Sequence, residues 1–358
     1  MPEELKEIIL SEIEREGRIT FARYIELCLY DPQYGYYMKP GPRRDYYTSP
    51  QVHPLFGAML AKQIAQFWRL MGEGDLTVVE VGGGEGQLAS SILQYLRGRE
   101  PELYEGMLYL MVERSPYMIS LQRRRLKGED KVKWCEWEEL DGVRGVFLSN
   151  ELIDSFPVHR VIKAEEGLQE IYVAAEDGEL VEVLGPPTPE VKGYFRWLGL
   201  LPPPGHKAEI NLKALDWMED VARKLAEGFV ITIDYGYPAE ELFFRFPSGS
   251  LLSYRGGGVS PDLYVMPGDQ DLTAHVNFTA LMKKGEEEGL RTLGFTTQGR
   301  FLLALGILEE ASSLGERLAA KHLILPGGMG DTFKVLIQAK RIEVKEGLLG
   351  FGDPFRRG

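Results

Sequence analysis

A doubly wound, Rossmann-like α/β fold, with helices on both faces of a mostly parallel seven-stranded sheet, is predicted from three observations. From Leu76 onward, short apolar runs alternate with stretches of helical spacing, the order of strand–helix–strand units. The first of these strands is cut short by Gly82-Gly83-Gly84-Glu85-Gly86, with a helical pattern directly behind it. Several later strands end in a polar residue, and open α/β sheets bind ligands beyond the carboxyl ends of their strands.

The elements follow in order. Leu5, Ile8, Ile9 and Ile13 mark an amphipathic helix ended by Gly17, and Phe21, Tyr24, Ile25, Cys28 and Leu29 mark a second. Asp31 to Ser49 is a loop rich in Tyr, Gly and Pro. Pro50 or Pro54 opens a third helix, carrying Leu55, Phe56, Met59, Leu60, Ile64, Phe67 and Trp68. Strands are expected at Thr77–Val81, Met107–Val112, Lys131–Trp134, Gly145–Leu148 and Phe229–Ile233. Three antiparallel strands, Val158–Ala164, Glu170–Ala175 and Glu179–Leu184, interrupt this series, joined by Glu-Glu-Gly and Glu-Asp-Gly turns. Prolines at 186, 187, 189 and 202–204 bracket a short helical stretch, and 243–275 is a second insertion with little periodicity. A helix at Phe278–Glu288 and strands at Arg291–Thr296 and Thr332–Lys340 complete the sheet.

This organisation gives an N-terminal helical region with a ligand-covering loop (1–74) and a core of 75–157, 206–242 and 276–340. Insertions at 158–205 and 243–275 would form a substrate- or partner-binding subdomain, with a tail at 341–358.

Composition limits the function classes. A chain of 358 residues can bury a large core. Its formal net charge of -13 lacks the basic footprint of a nucleic-acid binder, and the Arg123, Arg124, Arg125, Lys127 cluster reads as a solvated helix face. Two cysteines, Cys28 and Cys135, make neither a disulfide framework nor a zinc site, and no metal is expected. Pro2 to Glu16 is acidic, with neither an apolar signal core nor Arg- and Ser-rich transit character. No apolar stretch approaches the roughly 20 residues of a membrane span. A cytoplasmic protein without membrane insertion is the expectation.

The glycine turn narrows the ligand. Gly82, Gly84 and Gly86 are spaced G-x-G-x-G, whereas a dinucleotide pyrophosphate site is G-x-G-x-x-G. Glu80 lies inside the strand before the turn, where its charge would repel a pyrophosphate and attract an α-ammonium and a sulfonium. S-adenosylmethionine is therefore favoured over NAD, beside the alternative of a plain tight turn. Glu113, ending the second strand, could accept both ribose hydroxyls or instead brace the helix start at Ser115-Pro116. Trp134, with Cys135 and Glu136, would lie by the adenine unless it is core. The fourth strand closes with Asn150, counted with the cofactor residues. Glu151 and Asp154 follow, and a helical turn would put both carboxylates on one face as catalytic acids; alternatively they only favour a helix dipole. His275 is a candidate proton acceptor or substrate contact, or a half-buried packed histidine, and Asn277 a candidate helix cap. The run Arg43 to Pro50, with Thr48 and Ser49, folds over the cofactor or caps the next helix.

The order of these motifs resembles the MidA-type class I methyltransferases, relatives of the mitochondrial complex I assembly factor that methylates arginine. The similarity runs through Leu29-Tyr30-Asp31-Pro32, Tyr34-Gly35-Tyr36-Tyr37, Asp45-Tyr46-Tyr47-Thr48-Ser49-Pro50 and Phe56-Gly57. It continues in the glycine turn after Glu80, Glu113-Arg114-Ser115-Pro116, Asn150-Glu151-Leu152-Ile153-Asp154 and Phe156-Pro157-Val158. Ile233-Asp234-Tyr235-Gly236, Asp271-Leu272-Thr273-Ala274-His275-Val276, and Gly330 before Phe333-Lys334-Val335 close the series. The resemblance implies a class I methyltransferase fold and methyl transfer from S-adenosylmethionine to a protein arginine, with symmetric dimethylarginine as the family product. It also implies a partner of the respiratory-complex subunit type. Departures are Gly83 and Glu85, where members commonly have Pro and Arg, and Arg44 and Gln51, where Gly and Glu are common.

The chemistry agrees with the residues. A guanidinium stays charged, and two unit charges about 4 Å apart repel by roughly 4 kcal/mol at an effective dielectric of about 20. Nearby carboxylates such as Glu151 and Asp154 would offset that. The alternatives are an inactive assembly factor on the same fold and, less favoured, a nicotinamide-dependent oxidoreductase. A homodimer stays open.

Overall fold

The computed structural model describes residues 2–41, 48–256, 258–260 and 262–353. In chain order its strands are β1 (Ile19–Thr20), β2 (Leu76–Val81), β3 (Met107–Val112), β4 (Val132–Trp134) and β5 (Val143–Asn150). Next come β6 (His159–Ala164), β7 (Gly167–Glu176), β8 (Glu179–Gly185), β9 (Lys207–Ile210) and β10 (Leu225–Tyr237). The series ends with β11 (Leu252–Arg255), β12 (Gly258–Ser260), β13 (Asp271–Thr273), β14 (Val276–Asn277), β15 (Arg291–Thr297) and β16 (Phe333–Lys340). They belong to two compact units, one of Met1–Tyr46, Ile153–Trp217 and Gly236–Leu281, the other of Tyr47–Leu152, Met218–Tyr235 and Met282–Gly358.

The second unit holds the predicted sheet, in the order β15-β16-β10-β5-β2-β3-β4. The pairs β2–β3, β2–β5, β3–β4 and β5–β10 are parallel, and β16 alone runs against its two neighbours. The mostly parallel, seven-strand path is borne out, and β14 adds a short parallel pairing at the end of β10. Chain order reverses direction at β2, so its carboxyl end opens at the switch point where doubly wound sheets take ligands. The helix Leu55–Leu70 buries Leu55, Phe56, Met59, Leu60, Ile64, Phe67 and Trp68 in this unit's core, and Phe67 stacks on Phe229 of β10 at 3.8 Å between ring centroids. Fully buried β strands explain why they read as continuous apolar runs.

The first unit carries the antiparallel insertion. β6, β7 and β8 pair as expected, and two short strands that sequence did not reveal extend them: β1 pairs with β7, and β9 with β6. Residues 207–210, counted above with the core, thus belong to this sheet. The second insertion is not irregular throughout, since β11 pairs with both β12 and β13. Leu5, Ile9 and Ile13 of the first helix, one helical turn apart, pack with Phe21, Tyr24, Ile25, Cys28 and Leu29 of the second in this unit's core; Ile8 is instead exposed.

Candidate active site

The glycine turn leaves β2 with Gly82 N–H bonded to Val112 O at 2.9 Å, and Gly86 N–H closes it onto Gly83 O at 2.9 Å. Gly82, Gly84 and Gly86 have φ of 69°, 53° and 85°, a region that side chains with a Cβ enter at a cost. Their surroundings differ. A Cβ on Gly82 would meet Leu152 Cδ1 at 2.8 Å and one on Gly86 would press Leu126 at 3.4 Å, whereas one on Gly84 would face open space. Gly86 then opens the helix Gln87–Arg99, whose first backbone N–H groups point back towards the turn.

Beneath the turn lies Glu80, 2% exposed, taking a hydrogen bond from Tyr109 at 2.7 Å. Burial pushes its carboxyl up to about 7, the Tyr109 bond opposes that rise, and the charge of Glu113 adds to it. At the end of β3, Glu113 Oε1 accepts the N–H of Ser115 at 2.8 Å, the contact of the helix-bracing alternative. Ser115 caps the helix Pro116–Arg125, and Gln122 of that helix is a residue sequence reasoning missed. Fully buried, Gln122 donates to Gly84 O at 2.8 Å and Glu113 Oε2 at 3.4 Å, and accepts from Trp134 Nε1 at 2.8 Å. One amide therefore ties together the turn, the acid and the indole assigned to the cofactor. Arg123, Arg124 and Arg125 are exposed on the same helix, as expected of a solvated face.

At the end of β5 the helical-turn expectation fails. Glu151 has φ of 54°, left-handed, and its N–H bonds Ile233 O at 2.9 Å, so no helix runs from 151 to 154 and Asp154 sits in a separate short 3₁₀ turn, Ile153–Ser155. A left-handed non-glycine residue reverses the chain and cannot propagate a helix. The Glu151 carboxylate instead accepts from Asn150 Nδ2 at 2.8 Å and from the N–H of Ser49 at 3.2 Å. Thr48 is the N-cap of the helix Ser49–Val52, and Ser49 is fully buried. Arg43 to Tyr47 of the tyrosine-rich run lie outside the described residues.

Asp154 and His275 fall in the first unit. Asp154 is 6% exposed and its carbonyl accepts from Ala274 N–H at 2.9 Å. Near it stand Tyr254, which the sequence did not single out, and Asp271, Tyr37 and Tyr30, which it marked only within longer motifs. Tyr254 faces Asp271 directly across β11 and β13, and Tyr37 donates to both Asp271 oxygens at 2.7 and 2.9 Å. Tyr30 stacks on Tyr37 at 5.6 Å. Burial, then the charges of Asp154 and Asp271, hold the Tyr254 hydroxyl above its ordinary range. His275 packs edge-on against Phe246 at 4.6 Å and near Tyr237 at 5.7 Å, with its N–H on Ser250 Oγ at 3.1 Å. Asn277 does cap its helix, accepting from Ala280 N–H at 3.2 Å. Neither cysteine is activated: burial pushes the Cys28 thiol up to about 12, and burial and nearby carboxylates raise Cys135.

Residues 59–296 match the family model described as "Putative S-adenosyl-L-methionine-dependent methyltransferase". The chain belongs to this family. A Burkholderia thailandensis protein solved bound to S-adenosyl-homocysteine superposes with a TM-score of 0.88 at 31% identity, covering 98% of this chain and 95% of that one. Among curated relatives, the Danio rerio mitochondrial protein arginine methyltransferase NDUFAF7 is 27% identical over 340 residues, 84% of this chain and 76% of its own. The Drosophila melanogaster homolog of the same name is 28% identical over 377 residues, 91% of this chain and 82% of its own.

S-adenosyl-L-methionine is the cofactor of this methyltransferase, and the cradle fits it: space in front of Gly84 that a Cβ would fill, with carboxylates below and beside the turn. Arg44 lies outside the described residues; the other three family departures have local contacts. A Cβ at Gly83 would meet Met111 Cε at 2.6 Å and the Glu80 carboxylate at 3.0 Å. Glu85 pairs with Arg125 at 3.1 Å. Gln51 still supplies the acceptor for Thr48 N–H, at 3.2 Å.

Proposed function

We propose that this methyltransferase acts on an arginine side chain of a protein partner, with symmetric dimethylarginine as product and a partner of the respiratory-complex subunit type. The observation that carries the reading is Glu151: a carboxylate held in a left-handed conformation by Ser49 and Asn150, one residue from the Leu152 side chain that packs over Gly82. Unfavourable backbone kept in place by side-chain bonds is a mark of functional positions. The names of the curated relatives support the choice of arginine.

The bound cofactor supplies an electrophilic methyl group on a cationic sulfonium. Gly82, Gly84 and Gly86 give it close backbone approach, Glu80 offsets its positive charges, and Glu113 offers acceptors for its ribose. Asn150, Trp134 and Thr48 stand with them, and the sequence reads Ser49 as part of the same set. Glu151 accepts hydrogen bonds from the guanidinium, offsets its repulsion from the sulfonium, and leaves one nitrogen aligned with the methyl group; Asp154 keeps, as a proposal, the assignment its sequence position gave it. The nitrogen that gains the methyl group gives up one proton, and Glu151 is the carboxylate assigned to receive it. The packing of His275 against Phe246 favours a positioning part for that residue over proton transfer.

The test is incubation of the full chain with methyl-deuterated S-adenosylmethionine and a protein extract, followed by hydrolysis and mass spectrometry. Deuterated methyl groups on arginine are expected. Label on other side chains alone, or on none, would overturn the arginine reading.

A further inference from the structure

Gln298 is buried completely at the start of the helix Gln298–Ala304, yet its side chain is an amide rather than an aliphatic group. Its Nε2 donates to Leu323 O at 3.2 Å, and its Oε1 takes the hydroxyl of Ser49 at 3.0 Å. The polarity is fixed, because a carbonyl can only accept: Leu323 O requires the NH₂ end, which turns the oxygen end to Ser49. The single hydroxyl proton of Ser49 is then spent on Gln298, and the Ser49 N–H is aimed at Glu151 Oε1, 3.2 Å away. Tying Gln298–Ala304 to the later helix Leu314–Ile324 needs only the Leu323 bond. The bond to Ser49 is surplus to that task, and Ser49 in turn reaches the carboxylate of the proposed reaction.

We infer that Gln298 is a positioning residue for methyl transfer, holding Glu151 in place through Ser49. Resting on the methyl-transfer reading of Glu151, this assigns the donors of Ser49 to the carboxylate and its anchor rather than to the cofactor, since both its hydroxyl proton and its N–H are committed within the protein. Glu151 needs such an anchor because φ of 54° is unfavourable for a residue with a side chain, and a carboxylate on relaxed backbone would swing out of line with the methyl group.

The experiment compares wild type, Ser49→Ala, Gln298→Met and the double variant as full-length proteins. Calorimetry reads S-adenosylhomocysteine affinity, and single-turnover transfer from tritiated S-adenosylmethionine to protein arginine reads the chemistry. Each single variant should keep the affinity within about twofold and lose roughly tenfold in transfer, and the double variant should lose no more than either, because both remove one link. Losses that multiply in the double variant, or transfer unchanged in Ser49→Ala, would overturn the assignment. A wild type that labels no arginine sinks the functional reading alone. The link is then decided by hydrogen exchange at the Ser49 amide, expected to speed up roughly tenfold in Gln298→Met. Unchanged exchange there would end the proposal.

Discussion

Tyr109 and Glu80 meet inside the sheet, the phenol of β3 donating to the carboxylate of β2 at 2.7 Å with both side chains out of reach of water. The carboxyl would be costlier to ionise without that bond, and even with it sits at about 7. Glu80 is therefore part-protonated near neutral pH in the unliganded protein, and its charge becomes favourable only when a cation arrives above it.

Cofactor affinity should accordingly depend on pH. Positive charge at the glycine turn favours the carboxylate, so binding drives a proton off Glu80, and release of a proton on binding means affinity rises with pH. Between pH 6 and pH 8 the dissociation constant of S-adenosylmethionine should fall severalfold, with up to one proton released per molecule bound. Calorimetry in buffers of different ionisation enthalpy measures that proton directly. A flat profile would remove Glu80 from the cofactor's surroundings.

Stability should move the other way. An unfolded Glu80 gives up its proton near the ordinary glutamate value of 4.5, while the folded one keeps it to about 7. The folded state thus binds more protons across that window, and this residue's contribution is lost progressively as pH rises through it, by about 3 kcal/mol in all. Glu80→Gln stays neutral. It should match wild type near pH 5, exceed it by about 2–3 kcal/mol at pH 8, and bind the cofactor less well. Denaturant melts at the two pH values check this.

Two glycines should separate binding from folding. Gly84→Val projects into open space, so the cost to the fold is the left-handed backbone alone, about 1–2 kcal/mol, while the new side chain occupies cofactor volume. Binding of S-adenosylhomocysteine should be lost from a protein that still melts cooperatively. Gly145→Ala would put its Cβ 1.8 Å from Thr77 O, in the register that joins β5 to β2, and should fail to fold stably. Circular dichroism and calorimetry on both variants distinguish the two outcomes.

Much of the sheet was legible because its strands are buried on both faces. β3 could be bounded to the residue, an apolar run between Gly106 and Glu113, and the glycine turn announced the ligand end of β2. The short strands β1, β9 and β11 to β13 carry two to four residues each, too few to show a period. Glu151 misled for a different reason, since nothing local marks a glutamate for left-handed backbone; the helical setting expected of it is not the one it has. Tyr109, Gln122 and Gln298 belong to no motif. Their partners come from other parts of the chain, Ser49 and Gln298 being 249 positions apart, and such bonds exist only after folding.

The measurement that bears most directly on Glu151 as the carboxylate of methyl transfer is single-turnover transfer by Glu151→Gln, taken beside its affinity for S-adenosylhomocysteine. The amide keeps the size of the side chain and an acceptor for Ser49 N–H, but neither offsets a guanidinium charge nor takes its proton. Affinity should stay within about twofold of wild type while transfer to arginine falls by a hundredfold or so, in line with the loss of a positioned acid–base group. Equal losses in binding and transfer would make Glu151 a structural residue, and undiminished transfer would place the chemistry elsewhere.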